Sequence, residues 1–325
     1  MDTNNGLISA FILTGDGSGQ RLTWDDIRNW RAEQGHLWVH LDYSNDGAKQ
    51  WMLTESGLSS LSCDILMEQD TRPRYIGTKN GFILILRGVN CNPGADPEDM
   101  VALRMSVEQN RVITMRQQRR VLAVTDVSEA LLAGTGPKSA VELLTTLIDR
   151  LTDRMGDVIA DIDDQVDELE DSVLTAESYE LRSLLARIRR QSISLRRYIA
   201  PQRDVLGRLQ NEQFEWLGDK SKQNLREQSE RTARFVEDLD SARDRAAITQ
   251  EELNNRLSEQ MNKAMYLLSI VAAIFLPLGL LTGLLGINVG GIPGAEFKWA
   301  FVIVSLFLVV IALLLLAVFK RIKWL

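Results

Sequence analysis

YLLSIVAAIFLPLGLLTGLL (residues 266–285), GINVGGIPGAEFK (286–298) and WAFVIVSLFLVVIALLLLAVF (299–319) follow one another near the end of this 325-residue chain. The first and third segments carry no charged residue. At about 1.5 Å per residue each spans roughly 30 Å as a helix, the thickness of a bilayer's hydrocarbon core. Two membrane spans joined by a glycine-rich outer loop are expected, with the basic tail KRIKWL (320–325) behind them.

Two spans return the chain to its starting side. Lys320, Arg321 and Lys323 follow the second span, and Arg256 and Lys263 precede the first. The positive-inside rule therefore places both ends and the large N-terminal part of this membrane protein in the cytoplasm. No apolar stretch opens the chain, so no cleavable signal peptide is expected. Cys63 and Cys91 are the two cysteines and read as free thiols in a reducing compartment.

Upstream of the first span no helix breaker occurs from about Lys220 to Pro277. A helix of that length suits a stalk that continues into the membrane. Along it Glu251, Ser258, Asn262, Met265, Ser269, Ala272, Leu276, Gly279 and Gly283 advance by threes, fours or one double step and form one stripe. The stripe turns from polar to small and apolar as it enters the bilayer. Gly279 and Gly283 form a Gly-x-x-x-Gly face suited to close helix packing. Two helices alone enclose no watery path, so the stripe implies identical first spans around a symmetry axis; a dimeric anchor without a conduit is the plainer alternative.

Before the stalk, Leu144, Ile148, Leu151, Met155, Val158, Ile162, Val166, Leu169 and Val173 recur at helical spacing. The polar side of this helix is acidic, with Asp149, Asp153, Asp157 and Asp161 four apart. The next, Arg182 to Arg208, carries eight arginines against the single acid Asp204. An antiparallel hairpin joined near Leu174 to Ser178, its charges offsetting each other, is expected. An acidic surface that concentrates cations is the functional alternative. Pro201 should kink or end the second helix.

The first 120 residues mix periods. Leu7–Leu13, Leu37–Leu41, Phe82–Arg87, Val101–Val107 and Arg111–Met115 read as strands, with Gln109-Asn110 as a hairpin turn, while Trp51–Leu66 and Val121–Leu132 read as helices. Gly134-Thr135-Gly136-Pro137 breaks the chain. The expected organisation is an α/β domain over 1–136, a helical hairpin over 137–218, a stalk over 219–265, spans over 266–285 and 299–319 flanking the outer loop 286–298, and the tail 320–325.

His36 and His40 bracket Trp38 on one face of a strand, about 13 Å apart and too far to chelate one zinc, so each reads as a polar-face residue. Gly15 to Gly19 reads as a tight turn, since it lacks the lysine and hydroxyl residue of a phosphate loop. With no nucleophile and base arrangement, no enzyme is expected. The formal charge of −7 without a basic, aromatic-interleaved patch argues against nucleic acid.

The segments TRPR (71–74), GTGP (134–137), RYIAPQRDV (197–205), FLP (275–277) and LLTGLLGINVGGIPG (280–294) together resemble the CorA family of divalent-cation transporters, and more closely its zinc-transporting branch, ZntB. The resemblance covers the whole chain. It implies a funnel-shaped homopentamer with the first span lining the pore and the second outside it. It places the signature tripeptide on Gly286, Ile287 and Asn288, with Asn288 at the outer entrance. Ile287 stands where the magnesium branch has methionine, and the Val-Gly-Gly-Ile-Pro-Gly loop departs from that branch too, which points to zinc import as the cargo, with proton coupling open; a magnesium, cobalt or nickel channel and a membrane-anchored metal sensor or scaffold are the alternatives. No resident cofactor is implied.

Between Tyr266 and Leu285 there is no Cys, His, Asp or Glu to hold a dehydrated zinc ion. Passage of a hydrated or partly hydrated ion past Asn288, Thr282 or Gly283, Ser269 and Asn262 is expected. Glu296 would attract cations outside, countered by Lys298, and Glu251, Glu252 and Glu259, with Ser258, would form the cytoplasmic vestibule.

Overall fold

The structure, a computed structural model, describes residues 5–69, 71–175, 179–286, 294 and 297–321, and divides into two compact units, Met1–Gln250 and Glu251–Leu325. In the first unit seven strands form one sheet: β1 Leu7–Leu13, β2 Gly19–Arg21, β3 His36–Asp42, β4 Arg74–Gly77, β5 Gly81–Gly88, β6 Val101–Glu108 and β7 Arg111–Arg116. Their spatial order is β2-β1-β3-β7-β6-β5-β4. The β3–β7 pair is parallel and the other described pairs are antiparallel. The Gly15–Gly19 stretch is the expected turn: Thr14 N–H donates to the Ser18 carbonyl at 3.2 Å, and the Asp16 carboxylate accepts from Ser18 N–H at 2.8 Å.

Alternation along the strands sends Leu37, Val39, Leu41, Ile83, Ile85, Ile113 and Met115 to one face, where they join Ile27, Trp51, Met52, Cys63 and Leu66 in one buried cluster. Those partners come from α1 Trp24–Asn29, α2 Asp46–Thr54 and α3 Ser60–Met67. Each helix starts on a side-chain cap: Thr23 with Asp26 in a reciprocal box, Asn45 accepting from Gly47 N–H at 2.9 Å, and Ser59 accepting from Ser62 N–H at 3.1 Å. The single helix expected over Trp51–Leu66 is therefore two. Gly57 takes φ of 72° between them, a conformation that ends the first, and Ser59 restarts the second.

The opposite face carries Phe11, Trp38, His40, Phe82, Leu84, Met105 and Thr114, all buried. It is covered by α4 Leu122–Leu132 and by two long helices, α5 Ala140–Thr175 and α6 Tyr179–Leu209. Gly88 marks how closely they press: a Cβ there would lie 2.6 Å from Leu151 Cδ2 on α5. With both faces covered, His40 is not a polar-face residue as expected from its strand. It is 2% exposed, its Nδ1 lies 2.8 Å from Thr114 Oγ1, and Trp38 Nε1 donates to the same oxygen at 2.9 Å.

Burial, with a smaller contribution from the Arg116 charge, pushes the His40 pKa down to about 3. The unfolded chain takes up a proton near pH 6.5 and the folded chain does not. Stability from this residue is thus fully present above about pH 6.5 and is lost by about 1.4 kcal/mol per pH unit as pH falls from there toward the folded value. Thermal midpoints of wild type and His40→Gln compared from about pH 7.5 to about pH 5 should converge in acid; a constant difference would contradict the assignment.

The long α7, Asp219–Gly286, completes the helical layer with its residues up to Gln250. The seam of α6 steps by fours and threes through Leu181, Leu185, Ile188, Ser192, Leu195, Ile199, Gln202, Leu206 and Leu209, all buried. Because this burial continues beyond Pro201, the helix does not end there but runs on to Leu209. On α5 the buried residue between Met155 and Ile162 is Ile159, with Val158 half-covered, so the expected seam is rotated by one residue at that level. Gly156 lets Phe235 of α7 approach, its ring 3.2 Å from where a Cβ would sit.

The charges do not offset across α5 and α6 as expected. Arg154 of α5 meets Asp126 of α4 at 2.5 Å, and the other described interhelical ion pairs of both helices go to α7: Arg231 meets Asp153 at 2.7 Å and Asp149 at 3.7 Å, Arg245 meets Asp163, Asp167 and Glu170, and Arg196 of α6 meets Asp240 at 2.7 Å. The described polar contacts from α6 to α5 are weak and uncharged on the α5 side: Arg187 to the Gln165 carboxamide at 3.5 Å, and Gln202 Nε2 to Met155 Sδ at 3.8 Å. Asp157, Asp161, Asp164 and Glu168 stay exposed, which leaves α5 with an acidic outer edge.

Candidate functional site

The stripe singled out in the sequence lies in the second unit, on the part of α7 from Glu251 to Gly286. Glu251, Ser258, Asn262, Met265, Ser269, Ala272, Leu276, Gly279 and Gly283 are all exposed in the protomer. At 3.6 residues per turn they fall within an arc of about 100°. Ile270 is buried, and Ile274, Pro277, Leu278 and Leu281 are half-covered on the far side of the helix. The second helix of this unit, α8 Ala300–Arg321, has its own half-covered row at Val304, Leu308, Ile311, Ala312 and Leu315. Each helix thus shields one apolar row within the protomer, while the polar and small row of α7 remains outside.

That exposed row is poorly matched to lipid. The Ser269 oxygen keeps an acceptor that hydrocarbon cannot meet, and the Asn262 carboxamide stands exposed just before the apolar run. Gly279, Gly283 and Gly286 have nothing within 4 Å of where a Cβ would stand, so packing inside the protomer does not demand glycine there. Surfaces of this kind fit against further copies of the same helix or against water.

The hydroxyls are committed in a way that bears on cations. Ser258 donates to the Asn254 carbonyl at 2.9 Å, Ser269 to Met265 at 2.9 Å and Thr282 to Leu278 at 3.0 Å. Each proton is tied to the helix backbone, which leaves the oxygen lone pairs facing out as acceptors. A hydrated cation presents water hydrogens, and acceptors are what it can use.

Glu259 and Thr282 are exposed but sit one residue off the stripe, about 100° around the helix from its neighbours Ser258 and Gly283. Glu252 is held by Arg256 at 2.9 Å. Asn255, exposed and four residues after Glu251, fills the double step left between Glu251 and Ser258; the spacing alone offered this position, and the sequence reading passed over it. Ile287, Asn288 and Glu296 lie outside the described residues. Among the described residues no group of three or more His, Cys, Asp or Glu is placed to hold a metal ion, and Cys63 and Cys91 are free, the former buried.

Both α7 and α8 contain an apolar stretch long enough to cross a membrane, almost wholly uncovered in the protomer. Residues 33–321 match the family described as CorA-like Mg2+ transporter protein. The chain belongs to the CorA family. A curated relative, the divalent cation transporter CmaX of Pseudomonas aeruginosa, is 40% identical over 98% of this chain and 97% of its own. The zinc transport protein ZntB of Yersinia enterocolitica is 35% identical over 98% of this chain and 96% of its own. The solved structure of full-length CmaX superposes with a TM-score of 0.86 at 39% identity, covering 99% of each chain.

This CorA-family chain is accordingly a divalent-cation transporter, not an enzyme, and a multi-pass protein of the inner membrane. Its α/β domain, long helices and terminal apolar hairpin match the fold of that relative. The expected zinc branch is met only at the coarser level of divalent-cation transport, because the two relatives carry different cargo descriptions at similar identity.

Proposed function

We propose that five copies of this chain enclose a pore lined by the exposed stripe of α7, and that the pore passes hydrated or partly hydrated divalent cations into the cytoplasm. The observation that carries this reading is the outward row of an acceptor oxygen and small residues at Ser269, Ala272, Gly279 and Gly283, free of charge within the bilayer, with the Asn262 carboxamide just before it. Such a lining grips no ion directly, so it supports magnesium, cobalt, nickel and zinc alike rather than zinc alone. Asn288 and Glu296 would stand at the outer mouth, Glu251, Ser258 and Glu259 at the inner one. Zinc import as the principal activity is the second reading, favoured by the likeness to ZntB and by the Gly-Ile-Asn-Val-Gly-Gly sequence.

No residue from Tyr266 to Leu285 or from Trp299 to Phe319 is an Asp, Glu, His or Lys, so neither span holds a proton relay. The membrane potential suffices as a driving force: about 4.6 kcal/mol per 100 mV for a divalent ion. In proteoliposomes, uptake of all four ions should follow an imposed voltage and ignore an imposed pH gradient at fixed voltage. Uptake driven by a pH gradient at zero voltage would instead establish proton coupling.

A further inference from the structure

Arg104 stands mid-strand in β6, opposite Ile85 and Met115, on the sheet face that packs against α1, α2 and α3. It is 2% exposed. Its guanidinium donates to the Glu68 carbonyl at 2.7 Å and reaches the Gln69 carbonyl at 3.4 Å, and it lies 4.8 Å from the Tyr43 ring centroid. Two carbonyls and a ring face do not neutralise a full charge. Among the described residues no carboxylate pairs with it, because the Glu68 carboxylate is taken by Arg74, and Arg104 Nε has no hydrogen-bond partner. A buried charge left in this condition is costly unless something else meets it.

Beside it opens a cavity of about 310 Å³, lined among others by Gln69, Arg87, Arg104, Gln117, Gln118 and Arg119, with no carboxylate among its described lining residues. That volume is at the lower end of small-molecule sites. Arg87 stiffens one wall, donating to the Thr71 carbonyl at 2.6 Å and the Met100 carbonyl at 2.9 Å. Arg119 stands at the exposed rim, 3.4 Å from Asp99. Gln118 has φ of 55°, the one left-handed residue other than glycine among those described, so the rim is held in a conformation that costs energy.

We propose that this cavity binds a small phosphate-bearing anion, anchored by the buried Arg104 and closed at the rim by Arg119. A phosphate ester offers three oxygens to forked guanidinium donors approaching from β6 and from the segment after β7, where a carboxylate offers two. The Gln69, Gln117 and Gln118 carboxamides supply neutral donors and acceptors for the remainder of a phosphate ester.

The test is calorimetric titration of the full-length protein with inorganic phosphate and with glycerol phosphate, at constant ionic strength set by chloride. Saturable binding to wild type is expected, weakened at least about tenfold in Arg119→Gln, whose exposed position leaves folding intact, and weakened likewise in Arg104→Lys, which keeps the charge and loses the fork. Tighter binding of glycerol phosphate would identify an organic ester, and tighter binding of inorganic phosphate the free ion; both support the site. Absence of saturable binding of either probe to wild type, or unchanged binding in Arg119→Gln and Arg104→Lys, would overturn it.

Discussion

Asn288→Ala is expected to lower divalent-cation uptake about tenfold or more in proteoliposomes at low external concentration, for zinc, magnesium, cobalt and nickel together. In the proposed pore each subunit contributes one Asn288 carbonyl oxygen to a ring that accepts hydrogen bonds from the waters around an arriving ion. A hydrogen bond to a charged partner contributes about 1.5–3 kcal/mol, and 1.4 kcal/mol is a factor of ten, so loss of the ring removes enough stabilisation to empty the entrance. Asn288→Asp, which keeps the oxygens and adds charge, should retain uptake and raise apparent affinity. If Asn288→Ala conducts like wild type while remaining oligomeric, the entrance has been assigned to the wrong residue.

The largest stability effect is expected at Trp38. Its side chain is wholly buried, stacks on Phe11 with ring centroids 5.8 Å apart and donates to Thr114 at 2.9 Å. Trp38→Ala should destabilise the first unit by about 3–5 kcal/mol, from lost burial plus a cavity between sheet and α5. Trp38→Phe retains most of the apolar contact and removes one donor to Thr114, so about 1 kcal/mol is expected. Denaturant titration followed by circular dichroism separates the two; a loss below about 1 kcal/mol for the alanine variant would show that the layer repacks.

The parts of the fold written in long periodic segments were legible. Five strands announced themselves as short apolar, β-branched segments, and α5 to α8 by seams and apolar runs. β2 and β4, with three and four residues, were too short to show a period. α2 and α3 merged because Gly57 and Ser59 interrupt an otherwise helical apolar spacing. His40 misled because alternation on a strand covered on both sides does not mark a wet face. Charge signs could be counted in the sequence, but not their partners: α5 and α6 look complementary, and α7 intercepts both.

For the proposed pathway, spacing gave the stripe, and the structure adds that its residues are exposed in the protomer. Cargo was less legible, since an uncharged lining carries little chemical identity. The cavity beside Arg104 left no sequence signal, because its walls come from residues 69, 87, 104 and 117–119, joined only by the sheet.

The ion pairs between α5 and α7 have a further property. Asp149, Asp153, Asp157 and Asp161 repeat every four residues, and Arg231 engages the first two rungs. Displacing α7 by one turn, about 5.4 Å, would carry Arg231 from one pair of rungs to the next without depriving it of an acid. Electrostatics on this face is therefore degenerate, a vernier that reads the same at successive notches. On this face registration falls to shape, above all to the Phe235 ring seated over Gly156, where an added methyl group would disfavour the present notch while the aspartate ladder stayed indifferent to the choice.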